Sequence, residues 1–212
     1  MAPITYVYVD AFNLYYRAIK GSPYKWLNLD ALCRHLLPQA EIRKVKYFTA
    51  KVQPTIGNPD APHRQGLYLR ALRTLPTVEV YKGHFLRHPV RAYLVNPPPT
   101  GPNTAEVWRT DEKGSDVNLA VHLVNDAHHG RFEQAAVISN DSDIAEAFRL
   151  VTRDLGLPVG FINPCLNGGS PSKTLNQVAS FRRDLRPGQL ARSLFPDTLS
   201  DTKGSFQKPQ GW

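Results

Sequence analysis

A chain of 212 residues with 42% hydrophobic and 10% aromatic side chains is long enough for one domain with a true core, and excludes global disorder. The formal charge of +8 and pI near 9.6 suggest a polyanionic partner, nucleic acid before a membrane, since no basic amphipathic helix and no run of membrane-spanning length is evident. Only Cys33 and Cys165 occur, and no Cys/His cluster has zinc spacing, so neither a disulfide framework nor structural zinc is expected.

In chain order, Thr5 to Val9 reads as a parallel strand buried on both faces and is followed by Asp10 and a short helix over 13–19. The strand-like run begins directly after Met1-Ala2-Pro3 and leaves no room for a signal peptide, which predicts a soluble, cytoplasmic protein. Asn28 is placed to cap a second helix, with Leu29, Leu32, Cys33, Leu36 and Leu37 at amphipathic spacing and Pro38 as its stop. A strand over 45–52, a helix over 63–74 and a strand over 78–85, interrupted at Gly83, come next. The proline-rich segment 96–103 is a loop between two short extended pieces, 93–95 and 107–110.

A helix opened by Ser115 or Asp116 places Asp116 on the stripe of Leu119, Ala120, Leu123, Val124 and Ala127, which directs the acid inward. The favourable helix terminus contributes roughly 0.3–1 kcal/mol, much less than burial of an unpaired carboxylate costs, so a cation or strong donor is needed. A strand over 135–138, a helix over 143–155 and a strand over 159–162 complete a β-α-β alternation, which predicts a parallel sheet with helices on both faces. Ser172 caps a last helix through Leu175, Val178 and Phe181. Residues 1–186 are expected to form the domain, and 187–212, polar and rich in Pro and Gly, a loosely ordered tail.

Charge is segregated along the chain. Between residues 61 and 105 stand Arg64, Arg70, Arg73, Lys82, Arg87 and Arg91 against the single acid Glu79, whereas residues 106–154 hold ten of the eighteen acids. The basic set is a candidate nucleic-acid surface with salt-dependent affinity, and Tyr15, Tyr16 and Trp26 are candidates for stacking on bases. Solvated faces and core packing are the ordinary alternatives.

Asp10, Asp116, Asp141 and Asp143 all fall where a strand ends or a helix begins, and such carboxylates converge at the carboxyl end of a parallel sheet. Helix capping is an alternative for Asp10 and Asp141, but capping does not explain the whole set. Oxygen ligands without His or Cys select Mg2+ or Mn2+, one or two ions, and suit a metal-dependent enzyme acting on phosphate esters. No Walker loop and no Gly-x-Gly-x-x-Gly after the first strand offers a phosphate cradle, and Phe12 stands where an aspartyl phosphatase needs a second acid.

Asp10 with Asn13, the segment Lys113-Gly114-Ser115-Asp116-Val117, and Ser139-Asn140-Asp141-Ser142-Asp143 resemble the three signature blocks of the NYN domain, a branch of the PIN-like nuclease superfamily. The likeness spans about residues 4–165. It implies an α/β, Rossmann-like (PIN-like) three-layer sandwich with a central mostly parallel sheet, and ribonuclease activity at a Mg2+ or Mn2+ site. Asp10, Asp116, Asp141 and Asp143 are the implied ligands, with Asn13 orienting a ligand or phosphate, Ser139 supporting them, and Lys113 either near the phosphate or balancing the charge of Glu112. The resulting expectation is an endoribonuclease whose metal-activated water leaves 5′-phosphate and 3′-hydroxyl ends. An RNA-binding module with little turnover and a DNA-cleaving nuclease are the alternatives, and RNA is the expected partner.

Overall fold

The computed structural model describes residues 1–166 and 169–212. The chain runs through β1 (Ile4–Asp10), the single-turn helix α1 (Ala11–Leu14) and a π-helical turn (Tyr15–Ile19) into α2 (Leu29–Leu36) and β2 (Glu41–Ala50). Then come α3 (Ala61–Leu72), the long strand β3 (Val78–Tyr93), β4 (Thr104–Lys113) and α4 (Ser115–His128). β5 (Gln134–Ile138) leads through a 3-10 turn (Ser142–Ile144), α5 (Ala145–Arg149) and a second π-helical turn (Leu150–Asp154) to β6 (Val159–Asn163). The remaining elements are α6 (Lys173–Val178), β7 (Phe181–Asp184), α7 (Pro187–Ala191) and the hairpin of β8 (Thr198–Asp201) with β9 (Gly204–Gln207).

Seven strands form one sheet in the order β4-β3-β2-β1-β5-β6-β7, parallel throughout except where β3 meets β4. Helices cover both faces, which makes the fold a Rossmann-like three-layer α/β sandwich. Strand alternation sends side chains to two separate cores. Val7, Val9, Val45, Tyr47, Ala136 and Ile138 join α1, α2 and α3 on one face, while Tyr8, Phe48, Ala135, Val137 and Phe161 join α4, α5 and α6 on the other. Each fully buried large apolar side chain here contributes about 1.5–3 kcal/mol before chain entropy is subtracted.

Local chemistry explains where the elements differ from the sequence-based expectations. The first helix begins at Ala11 rather than 13, because the Asp10 side chain accepts from the Asn13 N–H at 2.9 Å and starts the turn at once. β3 does not end near Gly83 but continues to Tyr93 as one arm of a hairpin with β4. A Cβ at Gly83 would meet the Lys113 carbonyl oxygen and lie 2.6 Å from Glu112 Oε1, so glycine lets β3 pass close to the start of α4. Phe181 ends no helix; it opens β7, its ring filling the space left by the absent side chain of its register partner Gly160. The helix expected over 143–155 is divided into 3-10, α and π segments.

Segment 187–212 is not a loosely ordered tail. Phe195, Phe206 and Trp212 pack around the Trp26 ring at centroid distances of 5.7, 6.4 and 6.5 Å, and Trp26 Nε1 donates to the Pro196 carbonyl at 2.9 Å. Arg70 clasps Asp201 through two hydrogen bonds of 2.7 and 2.6 Å while its guanidinium stacks on Phe206. A few widely spaced aromatic residues, invisible to a composition average, anchor this polar segment to the α3 side of the domain. Among the described residues, no helix is long and apolar enough to cross a membrane.

Candidate active site at the sheet switch point

β1 lies between β2 and β5, and the chain reverses its direction of travel across the sheet there. The carboxyl ends of these two strands diverge into the crevice where open α/β sheets bind ligands. Asp10 ends β1 and is 5% exposed. Its Oδ1 accepts from the Asn13 N–H, and its Oδ2 accepts from Ser139 Oγ at 2.9 Å. Burial drives the Asp10 pKa up, these hydrogen bonds oppose the rise, and Asp141 adds to it, leaving the carboxyl above its usual range.

The loop after β5 is tied to the same place. Ser139 Oγ accepts from the Asp141 N–H at 3.1 Å, and the Asn13 side-chain oxygen accepts from the Asn140 N–H at 2.9 Å. Asp141 caps the 3-10 turn by accepting from the Asp143 N–H at 3.0 Å. Asp116 approaches from the first turn of α4, following Gly114 at φ 95, a left-handed conformation that suits glycine. Its pKa is pushed up to about 6, chiefly by burial and then by the charges of Asp10, Asp141, Glu112 and Asp143. The four aspartates therefore lie within electrostatic reach of one another, and none has an ion-pair partner among the described residues.

Glu112 is a member that the sequence reading passed over. It precedes α4 at the end of β4, and its Oε1 accepts from the Ser115 N–H at 3.2 Å. Its only sequence clue was its position two residues before the αL glycine that opens the helix. Lys113 is exposed and helps Arg109 hold the Asp111 carboxyl below its ordinary range, which is a different neighbourhood from the aspartate group. The Asn13 side chain is engaged by the β5 loop, so its visible role is to fix that loop beside Asp10.

The surplus negative charge has the chemistry of a hard-cation site. Among the described residues no three His, Cys, Asp or Glu side chains gather closely enough to hold a metal ion. What the arrangement provides without one is a partly buried carboxyl, Asp116, that exchanges a proton near neutral pH.

Beside this group opens a cleft of about 580 Å³ between α1, the π-helical turn, the end of β2 and the start of α3, with Trp212 on its rim. Phe12, Tyr15, Tyr16, Tyr47 and Tyr68 line it with Trp212. Tyr47 joins the cleft to the aspartates: burial, and then the Asp10 charge, hold its hydroxyl above the usual phenol range. The sequence reading missed Tyr47, Tyr68 and Trp212 as site residues because nothing in local spacing brings strand, helix and chain end together. Trp26, read as a stacking candidate, is instead 1% exposed and belongs to the core.

The basic residues are divided among different tasks. Arg70 is committed to Asp201 and Phe206, Arg64 bonds to Asn58 and lies 3.9 Å from Asp60, and Arg87 stacks on Trp108. Arg73 caps α3, while Lys82 falls on the opposite face of β3 from Arg87 and Arg91 by alternation.

No family model matches the chain. It is 30% identical to the 6-hydroxy-3-succinoylpyridine 3-monooxygenase HspA of Pseudomonas putida, over 98% of this chain and 75% of that protein. The chain belongs to the family of that monooxygenase. A crystal structure of a protein of unknown function from Vibrio parahaemolyticus shares the fold, with a TM-score of 0.56 at 13% identity, covering 92% of this chain and 97% of that one.

The relative overturns the nuclease expectation. A monooxygenase is an oxidoreductase, so the endoribonuclease, the low-turnover RNA-binding module and the DNA-cleaving enzyme are all set aside as readings of this chain. Acids at a switch point are general-purpose groups; phosphate chemistry was inferred from their type, and the same carboxyls serve proton transfer equally well.

Proposed function

We propose that this chain is an oxidoreductase of the monooxygenase type, acting on a small ring compound held at the switch point. The observation that carries this reading is the 30% identity to HspA, which extends over 98% of the chain. In such a reaction one oxygen atom of O2 enters the substrate and the other is reduced to water. Two electrons and one proton arrive as hydride from a reductant such as a reduced nicotinamide, and the second proton comes from solvent.

Within this scheme Asp116 receives and returns protons, since a carboxyl titrating near 6 is poised for either direction at neutral pH. Ser139 and Asn13 hold Asp10 and the β5 loop in place around it. A hard divalent cation, Mg2+ or Mn2+, is the partner that the surplus charge of Asp10, Asp116, Asp141 and Asp143 would attract above about pH 6, where the Asp116 carboxyl is ionised. The likeness to NYN domains is kept as a proposal about the scaffold alone. A cytoplasmic setting accords with the free thiols of Cys33 and Cys165.

The test supplies purified protein with 6-hydroxy-3-succinoylpyridine, reduced nicotinamide, free flavin and 18O2. Substrate-dependent oxygen uptake with one labelled atom in the product is expected. No uptake and no label, with this compound and with other hydroxypyridines, would overturn the assignment.

A further inference from the structure

The cleft beside Tyr47 has a composition that selects a ligand. Six aromatic side chains line it, and its charged lining residues are Lys20, Lys25 and Arg64, with no Asp or Glu among the lining. Its volume of about 580 Å³ falls in the range of small-molecule sites. Aromatic walls favour a flat ring by stacking, and unbalanced cations favour a negative charge. A neutral aromatic would leave the lysines without a role, and an aliphatic acid would leave the walls without one.

The polar groups of the cleft divide into those already engaged and those free to bind. Tyr68 donates its hydroxyl hydrogen to the Leu27 carbonyl at 2.9 Å. The Gln65 amide donates to the Ala50 carbonyl at 2.8 Å and accepts from the Val52 N–H at 3.0 Å. These bonds fix the walls in advance, which lowers the ordering cost of binding. Arg64 is partly engaged by Asn58 and Asp60. Lys20 lies 5.0 Å over the Tyr16 ring, and neither Lys20 nor Lys25 has an ion-pair partner among the described residues. At the other end Tyr47 is 8% exposed, and its hydroxyl makes no hydrogen bond among the described residues.

We propose that this cleft binds a ring-bearing acid, a single aromatic or heteroaromatic ring carrying a carboxylate. The ring lies among Phe12, Tyr47, Tyr68 and Trp212, the carboxylate is held by Lys20 and Lys25, and a ring substituent accepts a hydrogen bond from the Tyr47 hydroxyl. Tyr47 remains a donor throughout the neutral range, because burial and the nearby Asp10 charge resist its ionisation. Phe12 follows Asp10 by two residues, so the ring is seated against the segment that carries the buried carboxylate. The proposal rests on the oxygenase reading for what happens to the ligand, but not for its binding.

The test is titration of the full chain with 6-hydroxynicotinate, followed by tryptophan fluorescence and by calorimetry, without oxygen or reductant. Binding is expected, with at least tenfold weaker binding of the neutral amide of the same compound. The Lys20→Ala/Lys25→Ala double variant should lose at least tenfold in affinity for the acid and little for the amide. Tyr47→Phe should weaken both, and circular dichroism should show all variants folded. Equal affinity for acid and amide, an unaffected lysine variant, or tight binding of flavin mononucleotide in competition with the ring acid would overturn the proposal. Binding that meets these criteria without oxygenation would sink the reaction assignment alone. Oxygenation with an unchanged KM in the lysine variant would sink the cleft assignment alone.

Discussion

The Ser139 hydroxyl donates to the Asp10 carboxylate at 2.9 Å across the switch point, joining the ends of β5 and β1 although the two residues stand 129 positions apart. The same oxygen accepts from the Asp141 N–H, so one buried side chain orients two acids. Ser139→Ala leaves Asp10 buried with one hydrogen bond fewer. A loss of about 1–3 kcal/mol in urea denaturation at neutral pH is expected, the cost typical of an unsatisfied buried group. An unchanged denaturation midpoint would show that the bond has no role in holding the site.

Asp116 gives a pH dependence of definite sign. Its folded-state pKa of about 6 lies above the ordinary 3.8, so folding favours the protonated acid. The stabilisation it contributes is complete below about pH 3.8 and is lost as pH rises through about 6. Asp116→Asn should therefore raise the denaturation midpoint at pH 7.5 and leave it nearly unchanged at pH 3.5. If the two proteins differ equally at both pH values, the carboxyl is not titrating in this window.

Asp126 on α4 accepts from Tyr8 at 2.6 Å, Lys46 at 2.5 Å and Arg131 at 2.7 Å, and it is 0% exposed. Burial opposes its ionisation, yet these donors outweigh burial and hold the carboxyl below its usual range. Lys46→Met removes a buried cation and leaves the carboxylate under-paired, with an expected cost of about 3–5 kcal/mol. The Lys46→Met/Asp126→Asn double variant should recover part of that loss in a double-mutant cycle. The depressed pKa adds stability that is present above about pH 4 and fades in acid, and this component should vanish in Asp126→Asn.

Gly160 on β6 has no room for a methyl group, because its added Cβ would run into the Phe181 ring of β7. Gly160→Ala should destabilise by about 1–3 kcal/mol through overpacking. Adding Phe181→Leu should relieve most of it, measured again by denaturation. Additive losses would mean that the ring moves aside without cost.

The C-terminal belt is open to a test by deletion. Removing residues 209–212 takes Trp212 from its contacts with Trp26 and Tyr68, whose ring centroids lie 6.5 and 6.0 Å away. The shortened chain should keep its helical content and lose affinity for 6-hydroxynicotinate at least fivefold, since a wall of the cleft is gone. Full retention of binding would place the ligand elsewhere.

Sequence periodicity alone determined the α/β class, the buried character of β1, the Asn28 cap of α2 and the start of α4 near Ser115. These follow from short-range rules, in which side-chain alternation, a capping oxygen or a breaker residue acts within a few positions. The same rules located Asp10, Asp116, Asp141 and Asp143 at element ends, but they did not disclose that Glu112 adds to their field or that Asn13 binds the β5 loop. Nor did they disclose the cleft, whose walls come from α1, β2, α3 and the final residue. Arg70 looked available for phosphate until the fold brought Asp201 and Phe206 to it. Such partnerships depend on through-space distances between segments far apart in the chain, which only tertiary packing decides. The reaction type was further still from the residues, because a carboxylate at a strand end suits several chemistries, and its neighbours select among them.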